Sequence, residues 1–166
     1  MILVPADETK EIRIFHKSFP DFLQDRDRCT NPRFHIDPET HHIGMAISCL
    51  ELVKGLKINL CSLPPFTMNR DVVDLPQLLE DKVDKAMQYA CTYWARYLRL
   101  SPVSGSHIEQ TIILTTDMLK SSPLWIEVMS LGNHLEEVIH SMNMVLDWLD
   151  QVSGPLLQPN IKRLVY

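Results

Sequence analysis

The sequence predicts a mainly α fold: a short N-terminal strand followed by a stack of five or six antiparallel helices, arranged as a helical arm of α-solenoid-like character. Three observations predict it. Apolar residues recur every three or four positions through residues 38–59, 83–98 and 135–150, the period of a helix with one buried face. Glycine is scarce, 5 residues against 11 prolines, so the tight hairpins and bulges of a sheet protein lack their usual residue. Strand-like alternation occurs once, near the N-terminus.

That alternation runs from Glu11 to Phe19, where Ile12, Ile14 and His16 interleave with Arg13, Phe15 and Lys17. A short helix is expected over Pro20–Asp25, opened by Ser18 or Pro20 and carrying Phe22 and Leu23. Residues 26–37 read as a loop. Asp37-Pro38 is a helix start, with Asp as N-cap and Pro at the first helical position. Ile43, Ala46, Ile47, Leu50, Val53 and Leu56 then form a stripe, with Met45, Cys49 and Leu52 beside it. Two adjoining apolar faces predict a helix sandwiched between neighbours and ending near Asn59.

Residues 62–73, with Pro64-Pro65, read as a loop, and Asp74 with Pro76 starts a short helical turn. Val83, Met87, Ala90, Trp94, Tyr97 and Leu98 give the clearest helical stripe, stopped by Pro102 and Gly105. Ser106 is placed as the cap of a helix over His107–Lys120, whose β-branched middle is a poor helix former. Leu124–Gly132 reads as a compact helix. Leu135, Val138, Ile139, Met142, Val145, Leu146 and Leu149 carry the next one to Asp150, broken by Gly154-Pro155. A further helix is expected to begin at Ile161 and continue beyond Tyr166.

The chain has 166 residues, which suits one core without disulfides or metals. Its net charge is −5, which opposes general nucleic-acid binding, since phosphate counterions are displaced by a basic face. No apolar run approaches the ~20 residues that span a bilayer. The opening Met-Ile-Leu-Val-Pro is followed by Asp and Glu and lacks a basic n-region. A cytoplasmic protein is therefore expected, with Cys29, Cys49, Cys61 and Cys91 reduced and packed as small apolar groups.

Motifs of catalysis are missing from the sequence. No two glycines stand five apart and none precedes Lys, so the chain has no P-loop and no Rossmann fingerprint. Neither G-x-S-x-G nor H-E-x-x-H occurs. No catalytic residue, cofactor or metal is assigned. One alternative stays open: Cys29, His35 and His41 are spaced so that they could converge on a metal, making a small metal-binding protein or enzyme. His134 and His140, six apart, are expected on different faces of one helix. Tyr89, Tyr93, Trp94 and Tyr97 are read as core and inter-helix packing rather than a base-stacking platform.

Residues 12–23, Ile-Arg-Ile-Phe-His-Lys-Ser-Phe-Pro-Asp-Phe-Leu, resemble the segment that closes the winged-helix domain of NACHT-type STAND NTPases. There a Phe-His-x-Ser-Phe strand runs into a helix. Asp25–Cys29, Arg33–Pro38, His41-His42, Cys49–Leu52, Asn59–Cys61, Tyr89–Cys91 and Trp94-Ala95 are similar to fungal members of that class. The resemblance is most specific over 12–61 and 86–98.

It implies that 1–26 is the remnant of a winged-helix end and 27–166 a helical domain lying between a nucleotide-binding core and C-terminal repeats. The implied function is a non-enzymatic signalling or scaffold module whose partners are proteins: the NTPase core, a repeat domain or a second copy. It further implies that His16 senses nucleotide in a complete protein. Ile12, Ile14, Phe15, Phe19, Phe22 and Leu23 would then form an interface left without its winged helix.

Overall fold

The computed structural model describes residues 2–3, 13–14 and 16–156. Two compact units divide the chain, 1–41 and 42–166. Among the described residues the protein is mainly helical.

In the first unit, two-residue strands β1 (Ile2–Leu3) and β2 (Arg13–Ile14) pair antiparallel, Ile2 with Ile14 and Leu3 with Arg13. Of the strand expected over 11–19, Glu11, Ile12 and Phe15 lie outside the described residues. Helix α1 (Ser18–Gln24) starts earlier than expected and takes Phe19 out of the strand. Its start is set by His16, whose Nδ1 accepts the Ser18 backbone N–H at 3.2 Å and meets the Ser18 hydroxyl at 2.7 Å. The 26–37 loop is organised by short polar side chains. Asp25 accepts from the backbones of Asp27 and Arg28, Asn31 accepts from Arg33, and Ile36 N–H returns to the Leu23 carbonyl at 2.8 Å.

Helix α2 (Pro38–Val53) begins as the sequence reads. Asp37 accepts from the backbone N–H and the hydroxyl of Thr40. The hydroxyl bond is the main cause that holds the Asp37 carboxyl below its ordinary range; Arg26 and His35 assist, against some desolvation. The capping contribution is therefore complete above the ordinary carboxylate pKa and fades as pH falls through the lowered one. The helix ends at Val53 rather than near Asn59. Lys54, Gly55 and Leu56 close it with tightening backbone bonds, and Leu56 stays buried past its end. Ile43, Ala46, Cys49, Leu50 and Val53 are buried, whereas Leu52 of the expected second stripe is exposed.

In the second unit, a loop with left-handed Asn59, Ser62, Phe66 and Asp74 leads to α3 (Leu75–Lys82). The loop is tied to the following structure by Asn59 N–H donating to Glu127 and Asn69 donating to the Ser130 carbonyl at 2.7 Å. Asp74 caps α3 and Asp84 caps α4 (Lys85–Leu100). Val83 therefore lies between two helices rather than in the first turn of one, and it is buried there. Gly105, at φ +113, turns the chain into α5 (Ile108–Lys120). The expected Ser106 cap is not formed: His107 occupies the cap position without a side-chain bond. Two of the threonines that weaken α5 on paper bond back one turn, Thr111 to the His107 carbonyl and Thr116 to that of Ile112, both at 2.8 Å, while the buried Thr115 hydroxyl has no partner among the described residues.

Helix α6 (Ser122–Leu131) and α7 (Leu135–Leu156) complete the unit. Helix α7 runs through Gly154-Pro155 to Leu156 instead of stopping at Asp150. The most extensive helix contact joins α4 to α7, and both also pack on α6. A solenoid puts contacts between chain neighbours. The α4–α7 pairing instead closes helices distant in the chain around one centre, and that departs from the serial stack read from the sequence.

At that centre Trp94, Trp125 and Trp148 are each fully buried. Trp94 and Trp125 meet edge to face, 5.6 Å between centroids, and the Trp125 indole N–H donates to the Cys91 carbonyl at 2.8 Å. We expect Trp94→Ala to lower unfolding free energy by about 3–5 kcal/mol in urea denaturation. Ile139→Ala, on the outer face of α7, should stay within about 0.5 kcal/mol of the parent. Equal losses in the two variants would contradict this placement of the core.

Candidate functional site

The sequence-derived candidates of the first unit are not gathered into a reactive site. Cys29 is buried, His41 is exposed, and the two do not assemble with His35 into a ligand set; among the described residues no group of three His, Cys, Asp or Glu side chains could hold a metal ion. His16 is exposed, and its Nδ1 is engaged by the backbone N–H and the hydroxyl of Ser18. Ile14 is half exposed, and α1 has no buried residue, leaving Phe19, Phe22 and Leu23 partly accessible. The Arg28 guanidinium lies 5.7 Å from the centre of the Phe22 ring. Ile12 and Phe15 lie outside the described residues.

The second unit carries two surface features that the sequence reading did not assign. One is a cleft of about 580 Å³ between α4 and α7. Its α4 wall holds Thr92, Tyr93, Arg96, Arg99 and Leu100, and its other wall holds His134, Glu137, His140 and Met144. Arg96 and Arg99 stand one helical turn apart on the exposed side of α4. Neither forms an ion pair among the described residues; the ion pairs there are Lys54–Asp117, Arg70–Asp71 and Lys120–Asp117. His134 and His140 line this same cleft, contrary to the expectation of different faces. Gly132-Asn133 ends α6, so His134 precedes α7 and helical spacing does not apply to it. Past Tyr93 and His134 the cleft continues into a mainly apolar groove of about 460 Å³ lined by Leu75, Leu79, Val128 and Met129, together with Glu80, Gln88 and Asn133.

The other feature is the outer face of α7. Its core face is Ser141, Val145, Trp148, Leu149 and Val152, with Val138 half-buried against it; the sequence stripe included Val138, Val145 and Leu149 but not Trp148 or Val152. Leu135, Ile139 and Leu146 of that stripe point outward, 50%, 70% and 59% exposed, with Met142 half-buried between them. At about 100° per residue, Glu136, Asp147 and Asp150 line one edge of this apolar strip. All three are exposed, and none is ion-paired among the described residues.

The tyrosines divide in a way the sequence did not show. Trp94 enters the core, while Tyr89, Tyr93 and Tyr97 form an outer ladder: Tyr89 and Tyr93 centroids are 4.7 Å apart and the Tyr89 and Tyr97 hydroxyls hydrogen-bond. Burial, followed by that bond, pushes the Tyr89 phenol above its ordinary range. His42 reaches the end of the ladder at 6.1 Å from Tyr97.

No protein-family profile matches the chain, and no curated protein or solved structure shows significant similarity to it.

None of the cysteines has the environment of a nucleophile. All four are buried. Desolvation pushes Cys49 up to about 11 and Cys91 up to about 12, the second also through Cys49. Cys61 is raised by burial and by Glu127, against Lys82. Because the thiolate is the reactive form, native protein at pH 8 should react with Ellman's reagent only as fast as it opens. All 4 thiols should titrate at once in denaturant. Rapid modification of Cys49 or Cys91 in the native state would contradict the packing around α2 and α4.

Proposed function

We propose that this chain is a non-enzymatic helical scaffold module that docks an amphipathic partner helix carrying a basic flank. The observation that carries the reading is the outer face of α7, an apolar strip of Leu135, Ile139 and Leu146 edged by Glu136, Asp147 and Asp150. Steps of four, three and four residues from Leu135 through Met142 to Leu146 are the spacing by which one helix offers a seam to another. The acidic edge selects the partner's charge and disfavours a second copy of α7, whose own acidic edge would face it.

The resemblance of residues 12–61 and 86–98 to fungal NACHT-type STAND NTPases supports placing the module between a nucleotide-binding core and a repeat domain, in the cytoplasm. In this reading 1–26 is the winged-helix remnant, its strand belongs to a sheet completed by that domain, and Phe19, Phe22 and Leu23 face it. His16 senses nucleotide only when the core is present. The chain works by packing, with proteins as partners and without nucleic acid, membrane or cofactor. Among the described residues no helix is long and apolar enough to cross a membrane.

The test is fluorescence anisotropy with two labelled helical peptides that share a leucine seam, one flanked by Lys and Arg and one by Glu. The basic peptide is expected to bind and to weaken with added salt. In an Ile139→Asp/Leu146→Asp variant its affinity should fall by about tenfold or more, the scale of losing a buried apolar anchor. Equal binding of the two peptides, or an unaffected variant, would refute the proposed docking face. Transcripts containing this chain are expected to encode an in-frame P-loop upstream; their absence would refute the STAND placement while leaving the docking face standing.

A further inference from the structure

We infer that the cleft between α4 and α7 is a binding site for a small organic phosphate, a phosphate monoester on an apolar or aromatic body. The argument starts from charge. The chain is acidic overall, with 21 Asp and Glu against 16 Lys and Arg, yet Arg96 and Arg99 share one wall of one cleft without an ion-pair partner among the described residues. Guanidinium groups offer fixed donor forks that match phosphate oxygens two at a time. His134 and His140 on the opposite side add imidazole donors. Four donor side chains from opposite walls of the cleft suit the doubly charged phosphate monoester better than a single carboxylate. Glu137 also lines the cleft and opposes an anion. It lies beyond ion-pair distance of both arginines, so it does not neutralise them directly.

The second half of the ligand follows from the groove that continues the cleft. Thr92, Tyr93 and His134 line both spaces. On the arginine side the surface carries Arg96 and Arg99; beyond Tyr93 it is made largely by Leu75, Leu79, Val128 and Met129, with Glu80, Gln88 and Asn133 also lining it. A charged end and an apolar end joined at an aromatic side chain specify an amphiphilic molecule, and the volume of about 580 Å³ is in the range of small-molecule sites. This site is separate from the outer strip of α7, so it does not depend on the proposed protein partner.

The probe is 1-naphthyl phosphate, titrated into the full chain by calorimetry beside inorganic phosphate and 1-naphthol. The whole molecule is expected to bind at least about tenfold more tightly than either half. Arg96→Gln/Arg99→Gln should weaken it by about tenfold or more, the scale of lost charge-assisted bonds. Tyr93→Ala should weaken naphthyl phosphate while leaving inorganic phosphate unchanged. Both variants alter exposed side chains, and unchanged circular dichroism and melting temperature establish that they are folded. Ile139→Asp/Leu146→Asp should bind as the parent does. An unaffected arginine double variant overturns the site. Equal affinity for inorganic and naphthyl phosphate overturns the organic part of the ligand. Retention on phosphatidic acid vesicles without any binding of the free probe assigns the phosphate to a lipid headgroup and overturns a soluble ligand.

Discussion

The second unit depends on three tryptophans from three helices sharing one dry core. Trp94 of α4, Trp125 of α6 and Trp148 of α7 are each inaccessible to solvent. Trp125 has its indole N–H satisfied by the Cys91 carbonyl of the neighbouring helix, whereas those of Trp94 and Trp148 have no partner among the described residues. An unmade buried bond costs about 1–3 kcal/mol, while burying a large apolar side chain yields about 1.5–3 kcal/mol. For Trp94 and Trp148, transfer from water therefore roughly cancels the orphaned N–H. What remains favourable is contact: edge-to-face packing of Trp94 on Trp125 and the dispersion of close-packed rings. The single indole bond then does what apolar packing cannot, fixing α6 at one height along α4.

That arrangement decides what the surface can do. With Ser141, Val145, Trp148, Leu149 and Val152 committed to the core, the opposite face of α7 is available. The α4–α7 contact that buries Trp148 also brings His134 and His140 opposite Arg96 and Arg99. The cleft is thus a by-product of the core's geometry. Cys49 and Cys91 show the same environment from the inside, since desolvation strong enough to raise both thiols marks a region from which water is excluded.

Much of this architecture was legible in the sequence wherever one residue decides one local event. Asp37-Pro38 marked the start of α2, Asp74 with Pro76 the start of α3, and the Ala90–Trp94–Leu98 spacing the buried face of α4. What was not legible depends on partners distant in the chain. The α7 stripe was chosen by hydrophobicity: Val138, Val145 and Leu149 do turn inward, but Leu135, Ile139 and Leu146 were included as well and Trp148 and Val152 left out, because packing on α4 and α6 settles which of the apolar residues are buried. Ser106 looked like a cap because its residue type prefers that role, but Gly105 sets the turn one residue later and His107 takes the position. The cleft escaped for a related reason. His134 and His140 were judged as one helix, while the break at Gly132-Asn133 puts His134 before α7.

Around the circumference of α7 the surfaces follow a fixed order at about 100° per residue. The core face is followed by the apolar strip, then by the acidic edge of Glu136, Asp147 and Asp150, then by the cleft side with Glu137, His140 and Met144, and so back to the core. The acidic edge therefore separates two surfaces with opposite requirements. On the strip side it favours a cationic flank. On the cleft side it opposes an anion through solvent, where charges farther apart than about 8–10 Å are largely screened at physiological salt. The arginines avoid most of that opposition because they belong to α4, across the cleft, and not to α7. Had the cations been placed on α7 beside Glu136 and Asp147, they would have formed same-helix ion pairs and presented no field to a ligand. Separating the signs between two helices, and pressing those helices together through Trp94, Trp125 and Trp148, is what allows a chain of net negative charge to keep one cationic cleft.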